Sequence, residues 1–173
     1  LRDRAIILIG LKMGLRASDI TALKLEQIDW IDACIRFIQD KTDVGKILPM
    51  PVDVGNALYA YLLHGRPASR SRYVFITHKA PYRKIDRSVC RHILRKALPK
   101  RNVPGSGFHV TRKTFATRLL KNGTGYLEVA GLLGHTGTGT VHKYLSLDEE
   151  RMRLCPLSLK SVGIFIKGGF RNE

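Results

Sequence analysis

Acidic side chains are scarce in this chain: 14 Asp and Glu stand against 30 Lys and Arg in 173 residues, a formal charge of +16. Such an excess goes beyond what solubility requires and fits a polyanionic partner, nucleic acid first. Cysteine is rarer still. Cys34, Cys90 and Cys155 are odd in number and far apart, with no second Cys or His at ligand spacing, which argues against a disulfide framework and a zinc site and leaves reduced thiols in a cytoplasm. Long apolar runs are also missing. The longest clean one, Ala5 to Leu11, is far shorter than the ~20 residues of a bilayer span, and neither a basic amphipathic terminal helix nor a lipidation signal points to a membrane surface. There is no P-loop pattern and no tight acidic cluster for paired Mg²⁺, so no cofactor is expected.

What is present suffices for one core. With 44% hydrophobic residues, a chain of this length builds one domain, or one domain plus an appendage. It begins at Leu1 rather than Met, which suggests a piece of a longer protein whose N-terminal part lies outside it.

The patterning predicts mostly helices. Residues Asp3 to Met13 are apolar nearly all round, a buried helix that Gly14 can end. In "GLRASDITALKLEQIDW", Ser18 or Asp19 can cap a second helix with Ile20 and Leu23 inward, and Arg16 sits in the junction. "CIRFIQDKTDVGKILPMP" alternates with period two on both sides of "KTDVG", a β-hairpin with Lys41 at its tip. "VDVGNALYAYLLHG" reads as a helix ending at Gly65, and "RYVFIT" as a further short strand. Asp86 to Leu98 is amphipathic: Cys90, Ile93, Leu94 and Ala97 line one face, and Arg87, Arg91 and Arg95 recur four apart on another. Like charges at that spacing repel unless an anion covers them, and Lys79, Arg83, Lys84, Lys100 and Arg101 flank the stripe. Lys84, Arg87, Arg91 and Arg95 are therefore candidate DNA-backbone contacts. A helix then opens near His109 to Thr111 and runs to about Asn122; "YLEVAGLL" is the next, stopped by Gly134. Beyond the loop "HTGTGT", Tyr144 is expected on a short helix capped by Thr138 or Thr140. Asp148 can cap "EERMRLC", ended by Pro156, and "SVGIFIKGGFRNE" reads as a strand that frays.

Singly, the candidate chemical residues are ordinary. In sequence they form an ordered set: "GLRASDI", a hairpin lysine, H-x-x-R opening a helix, "LLGH", then a tyrosine. This set resembles the catalytic domain of the tyrosine recombinase, or phage integrase, family, from about Leu1 to Leu159. The resemblance implies an α+β fold, mainly α with a small antiparallel β-sheet. It implies Arg16 and Arg112 as the active-site arginines, Lys41 as the hairpin lysine, His109 as partner of Arg112, His135 as the "LGH" histidine and Tyr144 as nucleophile. Lys113 stands where many members have His, and Asp19 where Glu is frequent, a supporting rather than reacting position.

Transesterification of a phosphodiester needs these types. Charge grows on the non-bridging oxygens, and arginine forks match those oxygens in a way lysine does not. A phenol with a pKa near ~10 needs help to attack at neutral pH, the proton work suited to His109; His135 would bind and orient the phosphate. Lys41 could protonate the leaving 5′ oxygen. A 3′-phosphotyrosyl bond conserves the energy of the phosphodiester, so neither ATP nor metal is required.

The expected function is thus that of a site-specific recombinase or integrase acting on double-stranded DNA, in the cytoplasm of a bacterium or phage host and associated with the nucleoid. The alternatives are a type IB topoisomerase-like enzyme and a DNA-binding module without catalysis. Residues 1–159 would be the catalytic domain. The resemblance further implies an N-terminal DNA-clamping domain outside this chain and a tetramer on two sites. Residues 160–173 would be a tail that either docks on a neighbouring protomer or packs as an edge strand on its own domain.

Overall fold

The computed structural model of the protein describes residues 1–38, 45–97 and 107–134. Lys41, His135, Tyr144, the helices expected near Tyr144 and after Asp148, and the C-terminal strand lie outside the described residues.

Helix α1 (Arg2–Met13) is the central post, burying Ala5, Ile6, Ile9, Gly10 and Met13. It packs against α3 (Val52–His64), α4 (Arg87–Ala97) and α5 (His109–Lys121). Gly14 ends it in the left-handed conformation, φ 65°, which glycine adopts without a Cβ penalty. Helix α2 (Ala17–Ala22) follows after a short link. Its first residue is preceded by Arg16, whose N–H donates to Asp19 Oδ2 at 3.4 Å. Asp19 is thus the third residue of α2 rather than its cap, and Leu23 closes the helix after only 6 residues.

A 3₁₀ turn (Leu25–Gln27) leads into a three-stranded antiparallel sheet, β1 (Ile28–Asp29), β2 (Cys34–Ile38) and β3 (Gly45–Pro49), in that spatial order. The expected hairpin is β2–β3, with Ile35 opposite Leu48 and Phe37 opposite Lys46; β1 is an addition to it. Along β3, Lys46 is half-buried, Leu48 and Met50 are buried, and Ile47 and Pro49 are exposed. Period-two alternation therefore puts Lys46 on the inward face.

The segment "RYVFIT" is not a strand. Val74, Phe75 and Ile76 are fully buried, but only single antiparallel bridges form, Lys24 with Tyr73 and Ile76 with Lys84. Arg66 takes the carbonyls a ladder would use: its guanidinium donates to Ser71 O at 2.7 Å, Tyr73 O at 2.9 Å and Val74 O at 3.2 Å. Phe75 stacks on Tyr61 of α3 with ring centres 5.5 Å apart. Helix α4 starts one residue later than the pattern suggested, because Asp86 caps it by accepting the Ser88 N–H at 2.8 Å.

Two apolar clusters result. The large one joins α1 to the sheet, α3 and α4 and reaches Phe108. The small one is the contact of α5 with α6 (Tyr126–Leu133), through Ala116, Leu120, Val129 and Leu133. Among the described residues, α6 thus shares its apolar side with α5 alone.

Candidate active site

The junction of α1, α2 and α5 depends on two glycines. A Cβ at Gly10 would lie 2.7 Å from Thr111 Oγ1 and 2.8 Å from the Phe108 ring, and one at Gly14 would lie 2.4 Å from Phe115. Their absence lets the start of α5 settle onto α1. Thr111, 1% exposed, donates its hydroxyl to Phe108 O at 2.8 Å and makes the first turn of α5 a compact block.

That contact carries Arg112 inward. Only 2% of it is exposed, and its guanidinium donates through Nη1 to Gly14 O at 2.8 Å and through Nη2 to Leu133 O. These acceptors are at the C-terminal ends of α1 and α6, where carbonyls lack helical partners and the helix dipole favours a cation. Gly14 is two residues before Arg16, so the bond fixes Arg112 beside the junction bearing the other arginine. Arg16 is half-buried, and its Nη1 is buried with no hydrogen-bond partner among the described residues. A donor in that state costs about 1–3 kcal/mol until an acceptor arrives, and an anion would supply one.

His109, the first residue of α5, is exposed at the same end. Partial desolvation of its ring, then Arg112, Lys113 and Arg16, hold its pKa below the usual histidine value. Arg112 and Arg16 thus both act on one imidazole. The same two guanidiniums act on Lys46: burial first, then Arg112 and Arg16, hold its ammonium below the ordinary lysine range, with Asp19 pulling the other way. Asp19 is 4% exposed and is the nearby carboxylate. Two guanidiniums and a histidine with so little counter-charge form a socket for an anion.

Lys46 was not among the residues singled out from the sequence. Its Nζ donates to Leu132 O at 2.9 Å and to Gly131 O. The available signal was strand periodicity, since Lys46 shares the alternation of Leu48 and Met50. The sequence also assigned Arg112 to an anion alone, whereas the fold uses it to hold two helix ends as well.

The basic face of α4 presents Arg87, Arg91 and Arg95 to solvent, with Cys90, Ile93 and Leu94 buried beneath. None of the three arginines makes a side-chain ion pair among the described residues. Lys84, also exposed, lies over the Tyr73 ring, 5.4 Å from its centre. A cleft of about 290 Å³ lined by Ser18, Thr21, Lys84, Asp86 and Arg87 joins this face to α2, the helix that Arg16 precedes. Away from it, Asp29, Asp32 and Cys34 lie within ligand distance of one another. Arg36 already bridges the two carboxylates, at 3.1 and 2.5 Å, so a cation there would have to displace a guanidinium. No helix among the described residues is long and apolar enough to cross a membrane.

Known proteins resemble this chain in sequence and in fold. The family model described as "Phage integrase family" matches residues 1–151. A Sinorhizobium fredii protein named as an integrase/recombinase, y4gC, is 37% identical over 161 residues, 92% of this chain and 83% of its own length. The crystal structure of XerA recombinase superposes with a TM-score of 0.73 at 25% identity, over 90% of this chain and 59% of that one. XerH site-specific recombinase, bound to a palindromic difH substrate in a post-cleavage complex, superposes with a TM-score of 0.68 at 20% identity, over 92% of this chain and 46% of its own. The chain therefore spans about half the length of these solved recombinases.

Proposed function

The chain belongs to the phage integrase family, and on that premise we propose that it is the catalytic domain of a site-specific tyrosine recombinase that cuts and rejoins double-stranded DNA. The observation that carries this reading is the meeting of Arg16, His109 and Arg112 at one junction. Arg112 is bonded 98 residues away to Gly14, and both arginines depress the pKa of His109.

In this reading the Tyr144 oxygen attacks the scissile phosphorus. The Oη–P bond forms as the P–O5′ bond breaks, with no oxidation and no outside energy source. His109 takes the phenolic proton, and its lowered pKa keeps the imidazole neutral and able to do so near pH 7. Arg16 and Arg112 meet the charge developing on the non-bridging oxygens. Arg112 is already braced against two carbonyls, so little reorganisation is left for the moment of reaction. Lys41 protonates the departing 5′ oxygen, and His135 binds the phosphate. Attack by another 5′ hydroxyl on the phosphotyrosine reverses the chemistry and joins a new strand.

Lys84, Arg87, Arg91 and Arg95 would track the DNA backbone, which positions without reading sequence. XerH in complex with its DNA site supports the same partner here. Recombination exchanges strands between two sites, so four protomers on two duplexes are the assembly proposed.

The test uses the full-length protein with a nicked attachment-site duplex, whose short strand is lost after cleavage. A protein–DNA adduct that survives denaturation, and vanishes in Tyr144→Phe, is expected. No adduct at a site the protein binds would mean a binding module. Adducts on arbitrary duplexes, with supercoil relaxation and no recombinant product, would mean a topoisomerase.

A further inference from the structure

Lys46 has no part in the chemistry just described, yet among the described residues it makes side-chain hydrogen bonds from the sheet to α6. A lysine on the inward side of a strand is costly to desolvate and needs a reason to be there. Its ammonium meets the carbonyls of Gly131 and Leu132, and Arg112 meets that of Leu133. Together the two cations reach three successive carbonyls at the end of α6; that of Gly131 also accepts the Gly134 N–H at 2.9 Å, and all three fall in the last turn, where carbonyls run out of intrahelical donors. The apolar cluster that α6 joins is shared with α5, and its C-terminal end is tied to α1 through Arg112 and to the sheet through Lys46.

What lies at either side of the contact gives it a consequence. Five residues before Lys46 is Lys41, at most ~18 Å along an extended chain, and two residues after Leu133 is His135, at most ~7 Å. We propose that Lys46 is a positioning residue: it latches β3 to the end of α6 and so sets the hairpin lysine and His135 at the spacing that cleavage requires. The inference rests on the strand-transfer reading above and adds a residue to it. Lys46 itself touches neither phosphate nor leaving group. Its effect is to fix where two reacting side chains stand, and errors of about 1 Å in such placement cost ~100-fold in rate.

The experiment compares full-length wild type, Lys46→Met and Lys46→Arg on the nicked duplex, reading DNA affinity across salt, single-turnover cleavage at saturating DNA, and amide exchange at residues 131–134. Lys46→Met should bind DNA within about twofold of wild type with the same salt slope, cleave about 10- to 100-fold more slowly, and exchange faster at the end of α6. Lys46→Arg, which keeps donors for both carbonyls, should recover most of the rate. Cleavage by Lys46→Met within twofold of wild type would overturn the latch. So would weaker binding with a salt slope reduced by about one, the mark of a direct phosphate contact. Should Lys46→Met lose its thermal transition, Lys46→Arg decides: near wild-type cleavage upholds the latch, and a rate ~100-fold lower with unchanged DNA affinity rejects it. If wild type forms no adduct, the strand-transfer reading fails instead, and amide exchange still tests the latch alone.

Discussion

Gly10→Ala sets two effects of opposite sign against each other. In an ordinary helix interior the change removes backbone entropy and stabilises by about 0.5–1 kcal/mol. Here the new methyl would lie 2.7 Å from Thr111 Oγ1 and 2.8 Å from the Phe108 ring, where ordinary contact starts at 3.4 Å. The first turn of α5 would have to retreat by ~0.7 Å, a shift that the burial of Thr111 and Phe108, at 1% and 5% exposure, resists. Overpacking of this kind costs about 1–3 kcal/mol, so the net effect is a loss of up to ~2.5 kcal/mol, centred on about 1 kcal/mol. For a domain of this size a loss of about 1 kcal/mol lowers Tm by about 2–4 °C. The same shift moves His109 and Arg112 away from Arg16, and the covalent-adduct rate should fall ~10- to 100-fold while DNA affinity holds. Thermal melting and adduct kinetics read the two consequences separately. A variant that melts higher than wild type and cleaves at its rate would show that the close seating of α5 on α1 has no part in catalysis.

Arg16→Lys keeps the charge but not the fork, and should cut the adduct rate by about 10²–10³ with DNA affinity nearly intact; a rate within a few-fold of wild type would remove Arg16 from the reaction. The acid limb of the cleavage–pH profile should lie below the ordinary histidine value of ~6.5, since desolvation, Arg112, Lys113 and Arg16 all disfavour the imidazolium, and a limb at or above it would exclude His109 as the base. The linked stability follows the same sign: the unfolded chain takes up this proton first, so acidification from ~6.5 towards the lower folded value weakens the fold, a loss that His109→Gln should lessen in melts across pH. Arg91→Gln should weaken binding to all duplexes alike and lower the salt slope by ~0.9. An unchanged slope would place Arg91 away from phosphate.

Much of the frame was legible in the sequence because helices announce themselves by period and punctuation. Gly14 and Gly65 end α1 and α3 where the pattern changes, and the alternating apolar and basic residues of α4 leave one way to orient it. Strands were less legible. "RYVFIT" has strand composition and full burial, but whether it joins a ladder depends on which groups take its carbonyls, and Arg66 is remote from any local signal. At two residues, β1 is too short to show a period. The order of motifs indicated the chemistry, and Arg16, His109 and Arg112 do meet. What that order does not carry is the second use of a residue: that Arg112 also braces two helix ends, or that the inward lysine of β3 reaches α6, depends on packing between elements distant in the chain.

The most direct measurement is the identity of the covalent bond. Full-length protein trapped on a nicked attachment-site duplex, digested with protease and nuclease and sequenced by tandem mass spectrometry, should yield one modified peptide with Tyr144 joined to a 3′ phosphate. A phosphate on Tyr126 or any other residue, or a linkage to the 5′ end, would contradict the account.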